Sequence, residues 1–230
     1  MKTIGLIGGM SWESTVTYYQ IINRIINKEL GGFHSAKILM YSVDFAEIEA
    51  CQSSGDWERS ADILSEAAQN LEKAGADFIV VCTNTMHKVV PQIQGRIGIP
   101  IIHIAEATAS ELKRRNIAKV ALLGTKYTMT QDFYKAKLES AGIEVLIPDE
   151  WGIETVNTVI FNELCLGIIS ETSKERFCRI IESLEKQGAQ GVILGCTEIG
   201  MLISQNDTEL PVFDTTLIHA KEAARLALEA

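Results

Sequence analysis

A chain that repeats itself has to build one structural unit twice, and this sequence matches itself at three places in the same order. Lys2-Thr-Ile-Gly-Leu-Ile-Gly8 is answered by Ala118-Lys-Val-Ala-Leu-Leu-Gly124, with the closing glycines 116 residues apart. Gly75-Ala-Asp-Phe-Ile-Val-Val-Cys82-Thr83 is answered by Gly188-Ala-Gln-Gly-Val-Ile-Leu-Gly-Cys196-Thr197, with the cysteines 114 apart. Pro100-Ile-Ile-His103 and Pro211-Val-Phe-Asp214 make a third pair, 111 apart. Self-similarity at a nearly fixed spacing marks a duplicated unit.

Within each copy, short β-rich runs alternate with helix-length amphipathic stretches. Strands are predicted at 3–7, 38–43 and 78–81, and helices at 12–30 and 57–73. In the first helix Tyr18, Ile21, Ile22, Ile25 and Ile26 recur at helical spacing, and Gly31-Gly32 supplies the stop. The alternation predicts an α/β fold of two pseudo-symmetric, internally duplicated domains with mainly parallel sheets. Equivalent strand ends would face one another across a cleft between the domains, where parallel α/β proteins hold their ligands. Each Pro-led strand closes a repeat and is free to cross over and complete the other half. On that basis the first domain is residues 1–98 with 208–230 and the second is 99–207, although no Pro/Gly/Ser-rich linker marks either boundary.

The 230 residues are 47% hydrophobic and 22% charged, enough apolar material for one large or two small cores. Thirty acidic against 21 basic residues give a formal charge of -9, which repels nucleic-acid backbones and anionic membranes. The apolar start is broken by Gly5, Gly8 and Gly9 and then meets Ser11 and Glu13, so it does not read as a signal peptide, and no run is long enough to span a bilayer. These features predict a cytoplasmic protein with neither nucleic-acid nor membrane partners. Five cysteines, none in a CxxC pair, predict reduced thiols.

Chemistry concentrates at the ends of two matched strands. Cys82 follows Phe78-Ile-Val-Val81 and precedes Thr83-Asn84-Thr85-Met86-His87-Lys88, and Cys196 follows Val192-Ile-Leu-Gly195 and precedes Thr197-Glu198. Polar residues after each strand suit the cap of a new helix, which would put each thiol at a helix N-terminus. There a free thiol, with a pKa of about 8.5, shifts toward thiolate, and exposed backbone N–H groups can receive a carboxylate. Inversion of a carbon centre needs one group to remove a proton from one face and another to deliver one to the opposite face. A thiolate and a thiol facing each other can do both and exchange roles in reverse. A single cysteine at a strand end is most simply a small buried hydrophobe, but two, each before a threonine at the same place in a repeat, argue for catalysis. Cys51, Cys165 and Cys178 have no such context and read as packing residues.

Glu198 can accept the thiol proton or orient it, or simply complement a helix dipole. Thr83, Asn84, Thr85 and Thr197 can bind a substrate carboxylate, though each is also an ordinary cap. Gly8-Gly9-Met10-Ser11-Trp12 is a glycine turn opening a helix, suited to a close-lying ligand, and matches neither GxGxxG nor a Walker loop. His34, His87, His103 and His219 form no metal-ligand spacing with each other or the cysteines, so no metal is expected, and nothing surrounds the lysines to suggest pyridoxal phosphate or any other cofactor. His87, one turn past Cys82-Thr83, either orients that loop or is structural, and structural is the simpler reading.

Gly8-Gly-Met-Ser-Trp12, Cys82-Thr-Asn-Thr85 and Gly195-Cys-Thr-Glu198 together resemble the cofactor-independent aspartate/glutamate racemase family over essentially the whole chain. Ser42-Val-Asp-Phe45, Cys82-Thr-Asn-Thr-Met-His-Lys88 and Phe213-Asp214 resemble its enterobacterial, broad-specificity branch most. The resemblance implies an amino-acid racemase, a homodimer, with Cys82 and Cys196 as the opposing acid and base. It also implies a substrate site lined by Met10, Gln52, Thr83, Asn84, Thr85 and Thr197, with Gln52 on a loop. Aspartate-specific relatives read the side-chain carboxylate with basic residues in segments that correspond here to Phe45-Ala-Glu-Ile-Glu49 and Phe161-Asn-Glu-Leu-Cys165-Leu-Gly167. Neither contains a basic residue, so a polar neutral amino acid such as homoserine competes with aspartate and glutamate as substrate. A hydantoin racemase, a maleate isomerase or decarboxylase of the same superfamily, a non-catalytic carboxylate-binding protein and a Cys82–Cys196 redox protein are the competing expectations.

Overall fold

The protein, seen as a computed structural model, is described over residues 1–229. In chain order the elements are β1 (Ile4–Gly8), α1 (Trp12–Leu30), β2 (Ile38–Ser42), α2 (Phe45–Ser54), α3 (Trp57–Lys73), β3 (Phe78–Val81), α4 (Val90–Gln94), β4 (Ile101–Ile102) and α5 (Ile104–Arg114). They continue as β5 (Lys119–Gly124), α6 (Lys126–Thr130), α7 (Asp132–Ser140), β6 (Glu144–Leu146), α8 (Glu150–Asn162), α9 (Glu171–Lys186), β7 (Val192–Gly195), β8 (Val212–Asp214) and α10 (Thr215–Leu228). Two four-stranded parallel sheets result, ordered β2-β1-β3-β4 and β6-β5-β7-β8. The topology is the same twice, as the repeat requires. No helix among the described residues is long and apolar enough to cross a membrane.

Helices α1 and α3 run as their spacing predicts. Asp56 caps α3 by accepting from the Arg59 N–H at 2.9 Å, and the helix buries Ala61, Leu64, Ala67, Ala68 and Leu71. Strand β3 is buried along its whole length, as expected for an inner strand of a parallel sheet covered on both faces. Its alternate residues serve two cores. Ile79 and Val81 pack with the α3 face, while Phe78, Val80 and Cys82 pack with Tyr18, Ile22 and Ile26 of α1.

The chain divides into one compact unit of Met1–Ile104 with the segment from His219 onward, and a second of Ala105–Ile218. The expected limits were 1–98 with 208–230, and 99–207. The difference has a definite source. The Pro-led strands do not cross over, because β4 pairs with β3 and β8 with β7. The helices after them do. α5 joins the second unit, where Thr108 accepts from the Tyr134 hydroxyl at 3.2 Å. α10 returns to the first unit, where Ala220, Ala223, Ala224 and Ala227 pack against β1, β3 and α1 and the Ala227 carbonyl accepts from the Lys2 N–H.

The β1–α1 connection is tightly built. Gly9 has φ +95, and a Cβ there would lie 2.1 Å from the Val43 carbonyl oxygen, so only glycine fits. Its N–H donates to the Thr15 hydroxyl at 2.9 Å, which in turn donates to the Ser11 carbonyl at 2.8 Å. Gly9→Ala is expected to lose roughly 2 kcal/mol or more from backbone strain and clash. The melting temperature should fall by about 5 °C or more. Gly31→Ala, also at positive φ but with open space around it, should cost about 1 kcal/mol. Equal melting temperatures for the two variants would remove the case for a packed turn.

Candidate active site

The singled-out residues lie just beyond the C-terminal ends of parallel strands, where α/β sheets place functional groups. In the first unit these are Met10 after β1, Gln52 beyond β2, and Cys82, Thr83, Asn84 and Thr85 after β3. Cys196, Thr197 and Glu198 follow β7 in the second unit. Gln52 is not on a loop. It lies on α2, capped by Asp44 through the Ala46 N–H and closed by left-handed Gly55. Its Nε2 donates to the Met86 sulfur at 3.0 Å, which ties α2 to the loop after β3. Met10 packs in the same cluster as Met86 and Ile48.

The two thiols differ in surroundings. Cys82 is 0% exposed and belongs to the apolar cluster with Ile4, Leu6, Tyr18 and Ala220, and its Sγ lies 3.8 Å from the Val80 carbonyl. Cys196 is 9% exposed and its Sγ donates to the Glu198 carboxylate at 3.0 Å. The same Glu198 oxygen accepts from the Thr197 hydroxyl at 2.6 Å. Neither thiol sits at the start of a long helix. Short 3-10 turns follow instead, Thr85–Val89 and Ile199–Met201, so the dipole expected to favour thiolate is weak and burial wins. The Cys82 thiol is pushed up by desolvation. Cys196 is also pushed up, first by desolvation, then by the nearby Glu198 charge and by Cys165. Both rest as thiols at neutral pH.

Strand register corrects the pairing that the repeat suggests. β1 pairs Ile7 with Val81, and β5 pairs Leu123 with Leu194. Because Gly8 and Gly124 are equivalent, Val81 corresponds to Leu194, Cys82 to Gly195, and Thr83 to Cys196. The other neighbour of β3 agrees, since Ile79 pairs with Ile101 and Val192 with Val212. The helix-ending glycines Gly75 and Gly188, at φ +97 and +96, fit the same offset. Counted from them, Thr83 and Cys196 stand at the same step. Matching cysteine to cysteine slips the register by one, which in a strand turns a side chain to the opposite face.

Sequence reasoning also missed a buried ring cluster. His87, His103, His219 and Tyr18 are each nine-tenths or more buried. His87 lies edge-on to His103 at 4.7 Å and to His219 at 5.6 Å, and Tyr18 lies edge-on to His219 at 5.7 Å between centroids. The contributors come from α1, the turn after β3, the link between β4 and α5, and α10, and no local motif joins such distant positions. Among the described residues no group of three His, Cys, Asp or Glu side chains is arranged to hold a metal ion.

The sequence model of the Asp/Glu/Hydantoin racemase family matches residues 7–223, and the chain belongs to that family of isomerases. A candidate Asp/Glu racemase of Yersinia pestis has a crystal structure 57% identical in sequence, with TM-score 0.94 and full coverage of both chains. An aspartate racemase homologue from Pyrococcus horikoshii OT3 is 40% identical, with TM-score 0.87 and full coverage of both chains. The broad-specificity amino-acid racemase RacX of Bacillus subtilis strain 168 is 25% identical over 229 residues, 95% of each chain.

Proposed function

We propose that the protein racemises a free α-amino acid without a cofactor, with Cys196 and Glu198 handling the α-proton on one face and Thr83 on the other. The observation that carries this reading is the 3.0 Å contact between the Cys196 thiol and the buried Glu198 carboxylate at the end of β7. A carboxylate at that distance can take the thiol proton and leave the thiolate to abstract the α-proton. The ordinary gap between a thiol and a carboxylic acid, about four pK units, makes that thiolate a minor species costing roughly 6 kcal/mol. Elevation of the Cys196 pKa by burial raises the cost further. Asn84, Thr85 and Thr197, with backbone N–H groups after each strand, are suited to hold the carboxylate, and Met10 and Gln52 complete the lining on the first unit.

The register equivalence favours Thr83 over Cys82 for the second group, and the apolar surroundings of Cys82 fit a packing role. Cys82 remains the competing reading because its thiol is the better acid by chemistry. The test is chiral chromatography in heavy water, with no added cofactor, on L- and D-aspartate, glutamate, homoserine and other amino acids. Racemisation with deuterium at the α-carbon is the expected result, and its ranking assigns the substrate between a dicarboxylate and a polar neutral amino acid. Thr83→Val should then cut racemisation by about 10²-fold or more, while Cys82→Ala keeps most of the rate per folded molecule. The reverse pattern returns the role to Cys82. Absence of exchange across the panel in reducing buffer points to hydantoin, maleate-type or decarboxylation substrates, or to carboxylate binding without turnover.

A further inference from the structure

We propose that His87 is a positioning residue for the reaction, fixing the Thr83-Asn84-Thr85 loop through the Thr83 main chain and doing so only as a neutral imidazole of one tautomer. The hydrogen bonds decide the tautomer. Nε2 of His87 receives the Ile104 N–H at 3.1 Å, and a backbone N–H can only donate, so that nitrogen carries no proton. Nδ1 therefore holds the proton and donates it to the Thr83 carbonyl at 2.8 Å.

The ring is braced as well as bonded. His103 and His219 lie edge-on to it. His219 is fixed in turn, donating from Nε2 to the Ile102 carbonyl at 2.9 Å and accepting at Nδ1 from the Tyr18 hydroxyl at 3.0 Å. The Thr83 peptide is thus tied to β4, to the start of α5 and, through the rings, to α1 and α10. Ile104 and His219 are also where the chain leaves and re-enters the first unit. A carbonyl anchored so firmly sets the direction of its own residue's hydroxyl, and proton delivery is sensitive to displacements of an ångström.

This inference rests on the assignment of Thr83 above, and the experiment separates the two. Each variant is assayed in heavy water for racemisation and for α-deuterium wash-in without inversion, reported as a ratio per folded molecule. His87→Leu, which removes both hydrogen bonds, should lower racemisation by about 10²-fold while keeping wash-in on the Cys196 face. His87→Asn places an amide N–H where Nδ1 stood and should recover racemisation. His87→Gln restores only an acceptor for Ile104 and should not. The Asn and Gln pair carries the test if the Leu variant folds poorly. Loss of both activities in one proportion in all three variants would mean a purely structural histidine and overturn the inference. Wild-type racemisation in Thr83→Val would sink the Thr83 assignment itself, and this inference with it.

Discussion

Cys196→Ala is expected to lower racemisation by roughly 10³-fold or more, with the melting temperature nearly unchanged. The thiol occupies the edge of its core and is 9% exposed, so losing one sulfur there should cost no more than about 1 kcal/mol. Cys196→Ser keeps a donor to Glu198 but replaces the thiol with a far weaker acid, and should be nearly as inactive. Glu198→Gln tests the partner differently. The carboxylate charge is one of the causes holding the Cys196 pKa up, so its removal should shift the alkaline rise of the pH–rate profile to lower pH. The maximal rate should still fall, because no buried acceptor then takes the thiol proton. A Cys196→Ala enzyme racemising at the wild-type rate would end the thiol mechanism.

Acidification is expected to destabilise the protein through His219. Desolvation, reinforced by His87 nearby, lowers its pKa from 6.5 to about 3, so the folded protein keeps the ring neutral. An unfolded chain binds a proton there below about pH 6.5. The stabilisation is therefore whole above pH 6.5 and is lost as pH falls toward 3. The slope is about 1.4 kcal/mol per pH unit, reaching ~3 kcal/mol near pH 4.5 and ~5 kcal/mol at the acid limit. His219→Gln keeps a donor for the Ile102 carbonyl and cannot titrate. It should be less stable at pH 7, through lost packing against Tyr18 and His87, yet lose less stability on acidification. Urea unfolding of both proteins at pH 7 and 4.5 reads the difference, and parallel acid losses would remove His219 from the account.

The parts of the fold legible in the sequence were those with a strong local signal. Helices α1 and α3 carry apolar stripes with clear stops, and β3 is an unbroken apolar run, so each was readable to the residue. Helix α2 was not, because its buried positions are few and include the polar Gln52. Its evidence lay in Asp44 at the cap and Gly55 at the stop, which are turn signals as much as helix signals. The duplication was legible, but its exact register was not. Identical residues drew Cys82 onto Cys196, although seven steps separate Gly75 from Cys82 and eight separate Gly188 from Cys196. Hydrogen-bond pairing supplies what residue identity cannot, because it fixes which face each side chain takes. The histidine cluster was illegible for another reason, since it is assembled from four elements spread between Tyr18 and His219.

The exchange of α5 and α10 between the units has a consequence for how the protein is made. The first sheet is synthesised early, but Ala220, Ala223, Ala224 and Ala227, which with α1 cover one face of it, are made only after the whole of the second unit. The second unit is one uninterrupted segment, Ala105–Ile218, and has all its parts before His219 and the alanine stripe of α10 are made. Domains ordinarily mature from the N-terminus as translation proceeds. Here the order of completion runs against the order of synthesis, and a nascent chain halted near residue 104 would hold a sheet with one apolar face covered by α1 but still lacking the alanine stripe of α10.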